Sequence, residues 1–271
     1  MKICVIYFSA TGNTEKIANE IKIELVQLNN EVSGYNIANR NIRKEMNNFE
    51  LYDAIIFGFP VYYLRAPRIV REWMLTRKGN GIKCSMFFTY GGVEVGISHS
   101  NMQNILTKQN FELVASAEFL TKHTYNLAGF KLMENHPNNI DFKIVREFAK
   151  ISYHKFLKHD NQELLLESPN LSEEQVNKIE VTFRRAIPIP YIDPESCNEC
   201  GICEKLCPTN AMEIKRRKPR RKDCIRCLRC LVSCPEKAIK IPDMTPQYQY
   251  LKKHMKIDEK ALKKIRSKIF N

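Results

Sequence analysis

The chain has 271 residues, 44% of them hydrophobic and 27% charged, which fits one larger and one smaller folded domain and excludes a disordered chain. No apolar run reaches the roughly 18 to 20 residues that span a bilayer, and the early apolar stretch 3–8 is too short for a secretory core. No integral membrane segment and a cytoplasmic location are therefore expected. The formal charge of +13 invites anionic partners, but no nucleic-acid recognition motif accompanies it, so nucleic acid is disfavoured.

From the start to residue 158, apolar strand-like runs alternate with segments of helical period. Strands are predicted over 2–8, 31–37, 54–59, 85–89 and 111–119. This pattern predicts an α/β fold, a five-stranded parallel, doubly wound sheet. Ile17, Ile21, Leu25 and Leu28 share one helix face. Pro67 suits the first turn of another helix, whose Ile69/Val70 and Trp73/Met74 pairs repeat four residues apart. Trp73 is read as a core residue on that spacing, and Cys4 and Cys84, inside apolar runs, as buried structural thiols. A last helix is expected over 141–157.

The first strand runs into Ser9, Ala10, Thr11, Gly12, Asn13 and Thr14, which open directly onto the first helix. Backbone N–H groups at a helix start favour an anion, three hydroxyls add donors, and Gly12 permits close approach. The loop lacks a Walker lysine and a G-x-G-x-x-G run, so a monophosphate fits better than a triphosphate or dinucleotide. Two more loops follow strands: Pro60, Val61, Tyr62 and Tyr63 after the third, and Thr89, Tyr90, Gly91 and Gly92 after the fourth. The phosphate loop resembles that of flavodoxins, and the resemblance extends through the alternation of residues 1–158. It implies FMN at the carboxyl ends of the strands, with the aromatic rings beside its isoalloxazine and the glycines near its polar edge. His123 is a lesser candidate near the flavin; His99, His136, His154, His159 and His254 are read as surface or packing residues.

Residues 159–186 read as a polar connector followed by a helix, with Ser172 and Gln175 forming a capping box. The Ile187-Pro188-Ile189-Pro190 run stops that helix, and a second domain is expected over 187–242. There Cys197, Cys200, Cys203 and Cys207-Pro208 repeat as Cys224, Cys227, Cys230 and Cys234-Pro235. Three cysteines two residues apart wrap one cubane, while the fourth is carried to the other. The expected ligand sets are Cys197, Cys200, Cys203 and Cys234 for one 4Fe-4S cluster, and Cys224, Cys227, Cys230 and Cys207 for a second. Paired zinc sites are the weaker alternative, because zinc does not require this third equally spaced cysteine and following proline. Ala211-Met212 and Ala238-Ile239 occupy matching positions that could shield the clusters. The segment resembles two-cluster bacterial ferredoxins over 192–241, a small α+β domain. It departs from their acidity at Lys215 to Lys218, Arg220 to Lys222, Arg226 and Arg229, read either as a solvated linker between the motifs or as a docking face for an acidic redox partner near the second motif.

Residues 243–271 form a basic tail in which Ile257, Ala261, Ile265 and Ile269 repeat every four residues, predicting a docked helix. The whole chain resembles the flavodoxin-ferredoxin fusion proteins of anaerobes, which implies electron transfer between two clusters, FMN and a protein partner. With those groups bound the formal charge would fall to about +7. No catalytic acid, base or nucleophile stands out. The rival functions are a flavin reductase acting on a small acceptor and a redox-sensing interaction protein.

Overall fold

A computed structural model describes every residue except 159–163, 165, 167, 168, 255–258 and 263. The five expected strands are β1 (Lys2–Tyr7), β2 (Glu31–Asn36), β3 (Ala54–Pro60), β4 (Lys83–Tyr90) and β5 (Glu112–Leu120). All five run parallel in the order β2-β1-β3-β4-β5. Strand order reverses between β1 and β3, so the loops leaving their carboxyl ends diverge and open a crevice.

The crossovers carry α1 (Asn13–Gln27), α2 (Arg40–Glu45), α3 (Arg68–Met74), α4 (Ser98–Lys108) and, after a 3-10 turn at Thr124–Ala128, α5 (Asn139–Leu157). Ile17, Ile21 and Leu25 of α1 join Val145 and Phe148 of α5 under one face of the sheet. Val70, Trp73 and Met74 of α3 cover the other with Met102 and Leu106 of α4. Both faces are apolar because both are covered, which explains near-continuous hydrophobic strands instead of alternating ones. Trp73 is a core residue as expected: it packs edge-on to Phe49, and its indole N–H donates to the Arg43 carbonyl at 2.9 Å.

Helix α6 (Glu173–Ala186) begins at the expected Ser172/Gln175 capping box. Buried Arg65 anchors it to the first domain, with Nη2 at 2.7 Å from Glu180 Oε2, while Arg71 reaches the same oxygen at 3.1 Å. The cysteine segment follows, with β6 (Tyr191–Ile192), α7 (Ile202–Lys205), α8 (Arg229–Ser233) and β7 (Ile239–Lys240). Its only sheet among the described residues is the antiparallel β6–β7 pair.

The tail departs from the single expected helix. It contains α9 (Thr245–His254) and α10 (Glu259–Leu262), then β8 (Lys268–Phe270), an antiparallel sixth strand on β5. Ile269 therefore belongs to a strand opposite Ala117, while Ile257 lies outside the described residues. The free edge of β5 offers a row of backbone donors and acceptors that a helix could not satisfy. Among the described residues no helix is long and apolar enough to cross a membrane.

Candidate functional site

At the carboxyl ends of the parallel strands, the chain encloses a cavity of about 880 Å³. Ser9, Ala10, Thr11, Asn13 and Thr14 line one end. Gly12 caps α1 with φ +89° and no side-chain capping bond of its own, and Ser9 Oγ accepts the Glu15 N–H of the first turn at 3.2 Å. The loop is braced from within: Ser9 N–H donates to Asn36 Oδ1 at 3.0 Å, and Asn36 Nδ2 returns a bond to the Ser9 carbonyl at 2.9 Å. Thr14 and Thr89 share a hydroxyl hydrogen bond of 2.8 Å, so Thr14 is already engaged.

Pro60, Val61, Tyr62 and Tyr63 line the cavity, as do Thr89, Tyr90 and Gly91. Gly92 does not, but it has φ +81°, and a Cβ there would meet Met133 Cε at 2.1 Å. A Cβ on Gly91 would meet His123 Cδ2 at 2.3 Å, so only glycine lets that turn approach the His123 ring. Burial holds the Tyr62 phenol well above its ordinary pKa and pushes Tyr63 up to about 12. Burial also drops His123 to about 4. These groups present neutral hydrogen-bonding surfaces at neutral pH.

Sequence reasoning missed much of this wall. Residues 121–125 follow β5 and line the cavity like the loops after β1, β3 and β4; of these only His123 is expected near the flavin from sequence, and the same strand-end rule could have found the others. Phe183 of α6, Tyr248 and Tyr250 of α9, and Ile225 and Arg226 between the second-motif cysteines close the remaining sides. Nothing local in sequence announces those contributions.

Cys197, Cys200, Cys203 and Cys234 line one separate small cavity with Ile214, Pro235 and Ile239. Cys207 lies within electrostatic reach of Cys224, Cys227 and Cys230. One cavity thus brings Cys234 of the second motif to three cysteines of the first, and Cys207 lies near the second-motif cysteines, where Cys230 also neighbours Cys203. Met212 and Ile239 are buried against Cys203 and Cys230. Among the described residues no three His, Cys, Asp or Glu side chains converge on a single metal ion, whereas a cubane takes its thiolates around a polyatomic core.

A "flavodoxin domain" profile matches residues 4–131, and a "4Fe-4S binding domain" profile matches residues 190–213. An uncharacterized protein of Methanocaldococcus jannaschii is 32% identical over 158 residues, covering 55% of this chain and 97% of its own length. Ferredoxin-1 of Rhodobacter capsulatus is 60% identical over 25 residues, 9% of this chain and 38% of its own. The chain belongs to the flavodoxin-ferredoxin fusion family. Such a fusion is an electron-transfer protein of flavin and iron-sulfur type, its flavodoxin domain implying FMN and its second domain 4Fe-4S chemistry. Flavodoxin 2 of Bacillus cereus aligns with a TM-score of 0.46 at 21% identity, covering 57% of the fusion protein and 99% of its own chain. An archaeal flavodoxin aligns at 0.43 and 18%, with coverage of 57% and 99%.

The residues of the fusion protein fit both groups. The loop 9–14 and the start of α1 line a cavity walled by neutral aromatics, with a glycine turn packed too closely on His123 and Met133 to admit a Cβ. The cluster donors are all thiols. Burial pushes Cys227 up to about 12 and Cys203 to about 11, so without metal both are neutral. Ligation would deprotonate them.

The basic collar is not a single face around the second motif. Arg226 is buried and donates to the carbonyls of Ile187 at 3.1 Å and Cys224 at 2.9 Å. Arg229 reaches the Ser9 carbonyl at 3.4 Å. Arg220 pairs with Glu213 and Asp223. Lys215, Arg216 and Lys218 remain exposed, and the intervening Arg217 pairs with Glu199 at 3.3 Å, placing this loop beside the first motif. Arg221 and Lys222, just before the second motif, are exposed as well, so of the collar only Arg226 and Arg229 turn inward.

Proposed function

We propose that the protein relays electrons between an external one-electron carrier, two 4Fe-4S clusters and FMN within one molecule. The carrying observation is the placement of the second cysteine set. Cys227 is buried in an apolar core with Phe59, against which Val61 and Tyr62 pack, and its neighbour Ile225 belongs to both that core and the cavity wall. In the first set, by contrast, Cys200 is exposed. This arrangement supports an order from surface to interior: partner, the Cys197/Cys200/Cys203/Cys234 cluster, the Cys224/Cys227/Cys230/Cys207 cluster, then FMN held by residues 9–14, 60–63 and 89–92. A cubane exchanges one electron at a time and a flavin one or two, so the pair can join one-electron carriers to two-electron chemistry. An acidic partner suits the exposed cations at 215–218 beside the first motif.

A second reading is favoured by the far wall of the cavity, where Phe183, Tyr248 and Tyr250 come from outside the flavin-binding loops. Such a wall suits a neutral planar acceptor, for which the protein would be a reductase. Anaerobic stopped flow separates the two readings. On mixing with limiting dithionite, cluster bleaching should precede flavin bleaching at a rate independent of protein concentration. Persistent oxidised flavin, with a measured potential above that of the clusters, would reject the relay. Rapid reoxidation of the reduced protein by menadione, saturating with its concentration, would select the reductase.

A further inference from the structure

The second cysteine motif reaches further into the flavodoxin domain than a neighbouring redox group requires. Ile225 and Arg226 line the cavity. The Tyr125 hydroxyl donates to the Arg226 carbonyl at 3.1 Å, fastening the wall of residues 121–125 to this loop. Arg229 Nη1 donates to the Ser9 carbonyl at 3.4 Å, so a cation from the cysteine segment rests on the phosphate loop itself. The Arg226 guanidinium ties the same loop to the end of α6 through the carbonyls of Arg184 and Ile187.

This loop has little means of holding its shape alone. Arg226 and Leu228 both have φ +57°, a conformation unfavourable for residues bearing a Cβ. The first motif shares the strain at Glu199, with φ +58°, but at the position matching Leu228 it has Gly201, with φ +78°, for which that conformation carries no Cβ penalty. Bonds from Cys224, Cys227 and Cys230 to a cluster would fix the second loop from both sides of each strained residue. Without them, that strain would be opposed only by the side-chain bonds of Tyr125, Arg226 and Arg229 and by the burial of Ile225 and Leu228.

We propose that residues 225–229 form part of the FMN site, and that FMN binding is therefore coupled to occupancy of the second-motif cluster but not of the first-motif cluster. The proposal rests on the FMN and two-cluster reading, though not on any electron passing between them. Because coupling is reciprocal, the cluster strengthens flavin binding and flavin protects the cluster by the same factor. Destruction of this cluster by oxygen would then release flavin, making flavin content a consequence of cluster integrity.

The test is made with oxidised protein and no electron donor. FMN is titrated by fluorescence quenching into flavin-depleted, cluster-loaded wild type, C197S, C227S and R229Q, with iron and sulfide measured in each. Coupling in the common range of about 5- to 150-fold predicts at least about fivefold weaker FMN binding in C227S. C197S should remain within about twofold of wild type on the same scale. R229Q should keep its iron and bind FMN about fivefold more weakly, with partial rescue by R229K. Equal weakening in C197S and C227S would overturn the proposal, as would unchanged affinity in C227S or R229Q. Should C227S not fold, the wild type supplies a second measurement. FMN should slow chelator-driven loss of about half its iron, the portion held by one of two clusters, and identical release with and without FMN would overturn the coupling. Failure of the relay would show instead in the stopped-flow experiment and would leave these affinities unchanged.

Discussion

His123 stacks on Phe130 at 5.3 Å with ring planes 14° apart, and its Nδ1 accepts the Tyr125 backbone N–H at 3.1 Å. That bond requires an unprotonated Nδ1, and burial lowers the group to about 4 from its ordinary 6.5. The sign of the pH effect follows. Between pH 6.5 and 4 the unfolded chain takes up a proton that the folded chain refuses, so stability falls as pH falls through this window. Above 6.5 the contribution is complete. His123→Phe keeps the ring and removes the titration. Its urea-unfolding midpoint should depend less steeply on pH over that interval, by a slope corresponding to uptake of about one proton. Parallel pH dependences for variant and wild type would place the imidazole in solvent.

At the scale of elements, β8 closes the sheet edge. Ser116, Ala117 and Glu118 pair with Phe270, Ile269 and Lys268. Ser267 Oγ accepts the Leu120 N–H at 3.1 Å and donates to Asp141 Oδ1 at 2.9 Å. Lys268 reaches Glu118 at 3.1 Å, and Phe270 packs edge-on to His99. Deleting residues 267–271 should lower stability by about 2–4 kcal/mol, from lost cross-strand pairs and buried polar groups left without partners. The deletion should also promote self-association by exposing β5. Chemical denaturation and light scattering check the two effects. The strand was not legible in sequence because three residues are too few to show a period of two, and Ile265 and Ile269 mimic helical spacing. β1, β3, β4 and β5 were legible because each is a largely apolar run, β2 (Glu31–Asn36), half polar at the sheet edge, by its place in the alternation, and the α6 start because Ser172 and Gln175 cap it locally.

Over the whole molecule, legibility follows the range of the interactions. The loop 9–14, the two strand-end loops and the cysteine repeat are contiguous motifs, and all the expected residues of the three loops except Gly12 and Gly92 line one cavity. The remaining cavity wall comes from α6, α9 and the second cysteine loop, joined only by packing across the chain. The same folding divides the basic residues. Arg226 binds the end of α6 and Arg229 the Ser9 carbonyl of the flavodoxin domain, while Lys215 and Lys218 stay exposed on the loop that Arg217 ties to Glu199 of the first motif. An acidic carrier steered to that loop would meet the outer cluster first.

Charge reversal at that loop separates encounter from internal transfer. The double variant K215E/K218E should slow second-order reduction by an acidic ferredoxin about tenfold at low ionic strength, because long-range attraction becomes repulsion. The difference should shrink as salt approaches about 0.5 M, where the screening length falls to a few ångströms. The concentration-independent phase from clusters to flavin should be unchanged, since neither lysine lines the cavity. Reduction by dithionite serves as the internal reference for cluster loading. If the ferredoxin rate is unaffected by the reversal at low salt, the partner docks elsewhere and Cys200 is not beside its entry point.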